Sequence, residues 1–230
     1  MKWMNTFLNE PVENNMPVIL GFLGIWHINI CNYVTRAILP YDQRLNAFPS
    51  YIQQLDMESN GKSITSDGEN VSEKTGVIVW GAAGTNSQHS FFQLLHQGSE
   101  IVPCEFMLAA NEHEEGMKEH KDLLIANCLA QSQALMVGRS IQEVIRILKK
   151  RGVPHEEAIR LAPHRKFMGN RPSSTILYKK LDPKTLGKII ALYEHRVFVE
   201  GITWNLDSFD QWGVELGKEL ASDMLTCLDE

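Results

Sequence analysis

Runs of apolar residues along the chain fall into a few distinct periods. Residues 17–31, PVILGFLGIWHINIC, are apolar on most sides of a helix, which predicts a helix packed within a larger body. The run is broken by His27 and Asn29 and is too short and too polar to span a bilayer. RAILPY at 36–41 has the character of a short strand, followed by helical periodicity across 42–57 that Pro49 disturbs. Residues 59–74, rich in Gly, Ser, Asn and Asp, predict an exposed loop or hairpin. VIVW at 77–80 has the length and β-branching of a buried strand. The loop GAAGTN then leads into SQHSFFQLLHQG, a short amphipathic helix closed by Gly98, and EIVPCEFML at 100–108 supplies the next strand. Strand, helix, strand over about 30 residues is the βαβ pattern of a parallel sheet.

Farther on, the periodicity predicts helices over 113–138 and 140–151 and a short one opened by Pro154. A loop at 163–173 precedes a strand, STILYKKL, at 174–181; helices follow from Pro183 to about Glu200 and over 209–228. No internal repeat or low-complexity tract interrupts them. The class is α/β: a doubly wound, mainly parallel sheet flanked by helices, with additional helices at the C-terminal end.

Composition narrows the partners. Of 230 residues 43% are hydrophobic and 22% charged, the balance of a folded domain. The net charge of -6 repels phosphate backbones and anionic lipids, so nucleic acid and membrane surfaces are poor partners, while a phosphorylated metabolite held by a few aimed donors stays open. Cys31, Cys104, Cys128 and Cys227 form no CxxC pair, which points to reduced thiols and a cytoplasmic setting. Residues 1–10 lack the pattern of a signal peptide.

Three places carry polar groups that a fold alone does not require. In QQLDMESNGK, 53–62, Glu58 sits where a helix gives way to a glycine-containing loop, and Gln54, four residues earlier, shares its face; a solvated carboxylate at a helix end is the plainer reading. In GAAGTNSQHSFF, 81–92, glycines after a buried strand permit a tight turn, and His89 falls in the first turn of the following helix, at the carboxyl edge of the sheet. In FDQWGVELGKEL, 209–220, Gln211, Glu215 and Lys218 form a polar stripe and Trp212, Leu216 and Leu220 an apolar one, which an ordinary surface helix would also show. The His- and Glu-rich stretch 111–120 lacks HExxH spacing and reads as a solvated face, not a metal site. Arg165, Lys166 and Arg171 read as a basic loop in preference to a phosphate site.

GITWNLDSFDQWGVELGK at 201–218 resembles the C-terminal signature of the phosphoglucose isomerase family, which interconverts glucose 6-phosphate and fructose 6-phosphate. ILPYDQ (38–43), MESNGK (57–62), GTNSQHSFFQLLHQG (84–98), GNRPS (169–173) and ALYEHRVF (191–198) match the same family in the same order. The resemblance implies two sugar-isomerase (SIS) α/β subdomains in a homodimer, with residues 1–230 forming the second subdomain and the helices after it. It implies that Glu58 is the base, that His89 and Lys218 assist ring opening, and that Gln54 and Gln211 contact substrate. It also implies that the histidine acts across the dimer interface.

Such chemistry suits these residue types. Opening a cyclic hemiacetal needs a proton donor and acceptor, and moving the carbonyl from C1 to C2 needs one base acting through a cis-enediol(ate), with no metal or organic cofactor. Two departures stand out. Ala82 and Ala83 replace the Glu-Pro of the family's WGEPGTN, and the family's Ser/Thr-rich phosphate cradle and GGRxS arginine are not found in the chain. The chain alone is therefore expected to lack isomerase activity. Other readings are a noncatalytic sugar-phosphate-binding module, which has no need of a proton shuttle, and a structural partner that completes a site with a separately encoded half.

Overall fold

Which stretches become central strands follows from how continuously apolar they are. In the computed structural model, which describes residues 7, 9–111, 113, 114 and 116–228, four strands form one sheet: β1 (Thr35–Pro40), β2 (Ile78–Gly81), β3 (Cys104–Ala109) and β4 (Ser173–Tyr178). The order is β2–β1–β3–β4 and all three pairings are parallel. Thr35 stands opposite Ile78, Ala37 opposite Cys104, and Cys104 opposite Ser173. β1 and β3 are buried along almost their whole length, as central strands covered on both faces must be. VIVW, read above as a buried strand, lies instead at the sheet's edge, with Ile78 exposed.

Alternate residues of the strands feed two cores. Ala37, Leu39, Phe106 and Leu108 face α4 (Phe92–Gln97) and α5 (Lys118–Val137), meeting Phe92, Leu95, Cys128 and Leu135. Ile38, Val79 and Met107 point the other way, onto Ile52 of α2 (Phe48–Ile52) and Ile189 and Tyr193 of α8 (Pro183–Thr203). The sheet is thus wound on both faces, as expected. α6 (Ile141–Lys150), opened by a Ser140–Glu143 capping box, packs with α7 (His155–Leu161) around a small core of Val144, Leu148, Ala158 and Ala162.

Three helices depart from the expected pattern. α1 (Met16–Ile25), continued by a wide turn (Trp26–Ile30), rests on α8, but Ile19, Phe22, Trp26 and Ile30 are exposed, so these residues cover one side only of an all-round apolar helix. The helix expected over 87–98 is split into α3 (Gly84–Ser87) and α4, with His89 in the turn between them. α9 (Glu215–Leu228) is exposed along its entire length. Among the described residues no helix is long and apolar enough to cross a membrane.

A cluster of buried charges ties these layers together near the amino ends of the strands. Arg36 of β1 donates to Asp56, in the wide turn (Gln53–Glu58) that continues α2, and lies 3.6 Å from both Glu105 of β3 and Glu200 of α8. Arg196 of α8 bonds Glu105 at 2.5 Å and Glu200 at 2.9 Å, and the Tyr193 hydroxyl donates to Glu105 at 2.7 Å. All five charged residues are at least nine-tenths buried. Gly24 of α1 closes over them: a Cβ there would lie 2.2 Å from a Glu200 carboxylate oxygen and 2.9 Å from an Arg196 nitrogen.

Three carboxylates face two guanidiniums, so the cluster has one negative charge too many. Burial pushes Asp56 up to about 7, against the pull of Arg36, and pushes Glu200 up to about 7 in the same way. In the unfolded chain such groups lose their protons near pH 4. Between about pH 4 and about pH 7 the folded protein therefore binds more protons than the unfolded chain, and stability falls as pH rises through that window. Urea titrations should give a higher unfolding midpoint at about pH 5 than at about pH 8, and Asp56→Asn should flatten the difference. A midpoint that rises with pH in both proteins would contradict this account.

Candidate active site

The expected site residues fall at two opposite ends of the sheet. α2 begins beyond the carboxyl end of β1 and runs back along the sheet: the Gln53 amide donates to the Val79 carbonyl at 2.9 Å, and Asp56 reaches Arg36. Glu58 therefore lies at the amino end of the strands, in the last turn before Gly61, half-buried. Gln54 is exposed one turn earlier, and the wide turn keeps the two side chains on one face.

The surroundings of Glu58 are held from the inside. The buried Asn60 amide donates to the Val197 carbonyl at 3.0 Å and its oxygen accepts from the Ser208 hydroxyl at 2.7 Å, joining the MESNGK segment to α8 and to the loop after it. Lys62 donates to the Asp207 carbonyl. Its ammonium pKa is lowered by desolvation, opposed by Asp210, Asp207 and Glu58, so a cation and three carboxylates share this corner. Gln211 ends the same loop, and Lys218 follows on α9. The Gln211 side-chain amide donates to the Phe209 carbonyl at 3.0 Å, and Lys218, like the rest of α9, is exposed. The loop brings the root of this segment to the Glu58 end, but nothing in the described residues folds α9 back over Glu58.

His89 belongs to the other end. Gly81 closes β2 where a Cβ would lie 2.0 Å from the Ile38 carbonyl oxygen, so only glycine allows the strand to leave by this path. Ala83 has φ -59° and ψ 138°, a backbone that proline would also adopt. Gly84 lies flat on the Tyr41 ring, where a Cβ would sit 2.5 Å from ring carbons. The Gln88 amide donates to the Tyr41 hydroxyl at 2.7 Å, and His89 itself is exposed. It lines a cleft of about 500 Å³ together with His96, Gln131, Arg139 and Phe167, and Glu58 is not among the lining residues. His96 bonds Gln131 at 2.7 Å, and burial lowers its pKa.

Since β1 alone is six residues long, its two ends are about 17–20 Å apart. One copy of the chain thus does not bring Glu58 and His89 to one reacting centre. Arg171, weighed earlier as a phosphate-binding group, is buried and turns both terminal nitrogens to the Glu100 and Gly98 carbonyls, at 2.8 and 2.5 Å. Sequence reasoning passed over the charge cluster and the Asn60 link. The signal was there in Arg36 and Glu105, charged residues inside otherwise apolar strands, and in Arg196 and Glu200, one turn apart on α8.

Comparison with known proteins agrees with this architecture. The chain is 59% identical over 219 residues to a glucose-6-phosphate isomerase of Xanthobacter autotrophicus, covering 95% of the chain and 40% of that protein. It is 60% identical over 223 residues to a glucose-6-phosphate isomerase of Chelativorans sp., covering 97% and 41%. The crystal structure of a glucose-6-phosphate isomerase from Chlamydia trachomatis superposes with a TM-score of 0.79 at 38% identity, over 94% of this chain and 39% of that one. A hypothetical protein from Thermus thermophilus shares the fold at a TM-score of 0.65 and 22% identity. The chain thus spans about two fifths of the length of the curated relatives it matches. A family model described as "Phosphoglucose isomerase" matches residues 2–230, end to end but for one residue, and the chain belongs to the phosphoglucose isomerase family.

Proposed function

We propose that these residues are the second SIS-type subdomain and C-terminal helical segment of a glucose-6-phosphate isomerase, working in the cytoplasm in glycolysis and gluconeogenesis. Glu58 takes the C2 proton of the opened sugar and returns it at C1 through a cis-enediol(ate). Its half-buried place suits a carboxylate that must keep that proton from exchanging with water. His89, with Lys218 nearby in the assembled enzyme, opens the ring by moving protons between the ring oxygen and the C1 hydroxyl. Gln54 and Gln211 bond sugar hydroxyls. The reaction redistributes hydrogen within one molecule, so acid–base groups suffice for it.

One observation carries this reading: Glu58 and His89, the two groups that the chemistry needs together, face opposite ends of one sheet. A site assembled from two copies resolves this, with His89 of one chain meeting Glu58 of another. Exposed apolar faces on α1 and α9 give such an assembly, and the remaining three fifths of the family's length, surface to cover. A noncatalytic sugar-phosphate sensor would need neither a proton-shuttling carboxylate nor a ring-opening imidazole.

Residues 1–230 alone should show no measurable conversion of glucose 6-phosphate in a coupled assay, while the complete isomerase turns over; comparable rates from both would reject the reading. A second test uses two complete variants, Glu58→Gln and His89→Ala, each expected to lose at least about 100-fold in kcat. Unfolded together and refolded, they should recover about a quarter of the wild-type rate, because half of a random population pairs one of each and restores one intact site per pair. No recovery beyond the sum of the separate variants would show that each site is built from one copy.

A further inference from the structure

Asp56 has a feature that stability alone does not explain. It is a carboxylate at 1% exposure, it makes the charge cluster unbalanced, and its Oδ1 has no hydrogen-bond partner among the described residues. Such a group costs folding free energy, and apolar packing would cost less. It also stands inside the wide turn (Gln53–Glu58), two residues before Glu58. A turn of this kind holds an extra residue compared with an α-helix, and relaxing it would rotate the following side chains by on the order of 100° about the axis. Where Glu58 points therefore depends on that turn being kept.

We propose that Asp56 is a positioning residue for Glu58: its pairing with Arg36 pins the wide turn to β1 and so fixes the direction of the Glu58 carboxylate. This rests on the reading of Glu58 as the base. Gln53 fastens the start of the turn to β2 and Asn60 fastens the residues after it to α8; in its interior Leu55 packs on the core, and Asp56 makes the directional contact, its hydrogen bond with Arg36. Arg36 is in turn paired, at 3.6 Å, with Glu105 and Glu200 from two other elements and is itself buried. Removing the Asp56 carboxylate leaves two guanidiniums facing two carboxylates, so a variant lacking it buries no uncompensated charge and is expected to fold.

The test compares Asp56→Ala and Asp56→Asn in the complete isomerase, with kcat, KM and thermal midpoint measured on each. Asp56→Ala should lower kcat by about 10- to 100-fold with KM within about twofold, the mark of a displaced reacting group and not of lost substrate binding. Asp56→Asn, whose amide oxygen still accepts from Arg36, should recover most of kcat. Added to Glu58→Gln, Asp56→Ala should cost nothing more, because it acts only through Glu58. An unchanged kcat in a folded Asp56→Ala protein would overturn the proposal, and so would a loss that multiplies onto that of Glu58→Gln. If Asp56→Ala does not fold, Asp56→Glu decides: the longer side chain displaces the turn, so lowered kcat at unchanged KM supports the proposal and wild-type kcat overturns it. Full activity of Glu58→Gln by itself would instead remove the base assignment, a result distinct from any of these.

Discussion

Arg36 is the point on which the layers of this protein meet. It rises from β1, one of the two central strands of the sheet, and the carboxylates around it come from the turn after α2, from β3 and from α8. Hydrophobic burial fills the two cores but is indifferent to small slides of one element on another. A buried guanidinium is not, because its donors work only where acceptors stand in reach and in plane. The cluster therefore sets the relative position of sheet, helix and turn, and it does so directly beneath the segment that carries Glu58.

Much of the architecture was legible beforehand because periodicity and length report burial. β1 and β3, covered on both sides, read as continuous apolar runs, and Gly98, Pro154 and Pro183 marked helix boundaries where the structure has them. Ile78 was misplaced because an apolar run of four residues looks alike at the centre and at the edge of a sheet. The break at His89 was missed for a different reason: the amphipathic period continues through it, while Gln88 turns aside to bond Tyr41, forty-seven positions earlier. α1 was expected to be enclosed. Its sequence was read correctly as apolar all round, yet what encloses its outer face does not lie in the described residues.

The sequence named candidate site residues without placing them. Motif order pointed to Glu58, His89 and Lys218 as a set, but the spacing of motifs says nothing about which end of a sheet each one faces. That depends on the direction in which α2 runs back from β1 and on the short exit of β2 through Gly81. The partners of Asp56, two residues before Glu58, were harder still to foresee, since Arg36, Glu105 and Glu200 are scattered over 165 positions and meet only once the sheet is formed.

Gly24 shows how far such a cluster can be governed by a residue with no charge of its own. Because hydrogen stands where a side chain would, the backbone of α1 presses against Glu200 and Arg196 and shuts out water. Burial is the main force raising the proton affinity of Glu200, and α1 contributes to that burial at Gly24. A methyl group here would act as a wedge, letting solvent in and returning Glu200 toward its ordinary strength, though it is itself incapable of titrating.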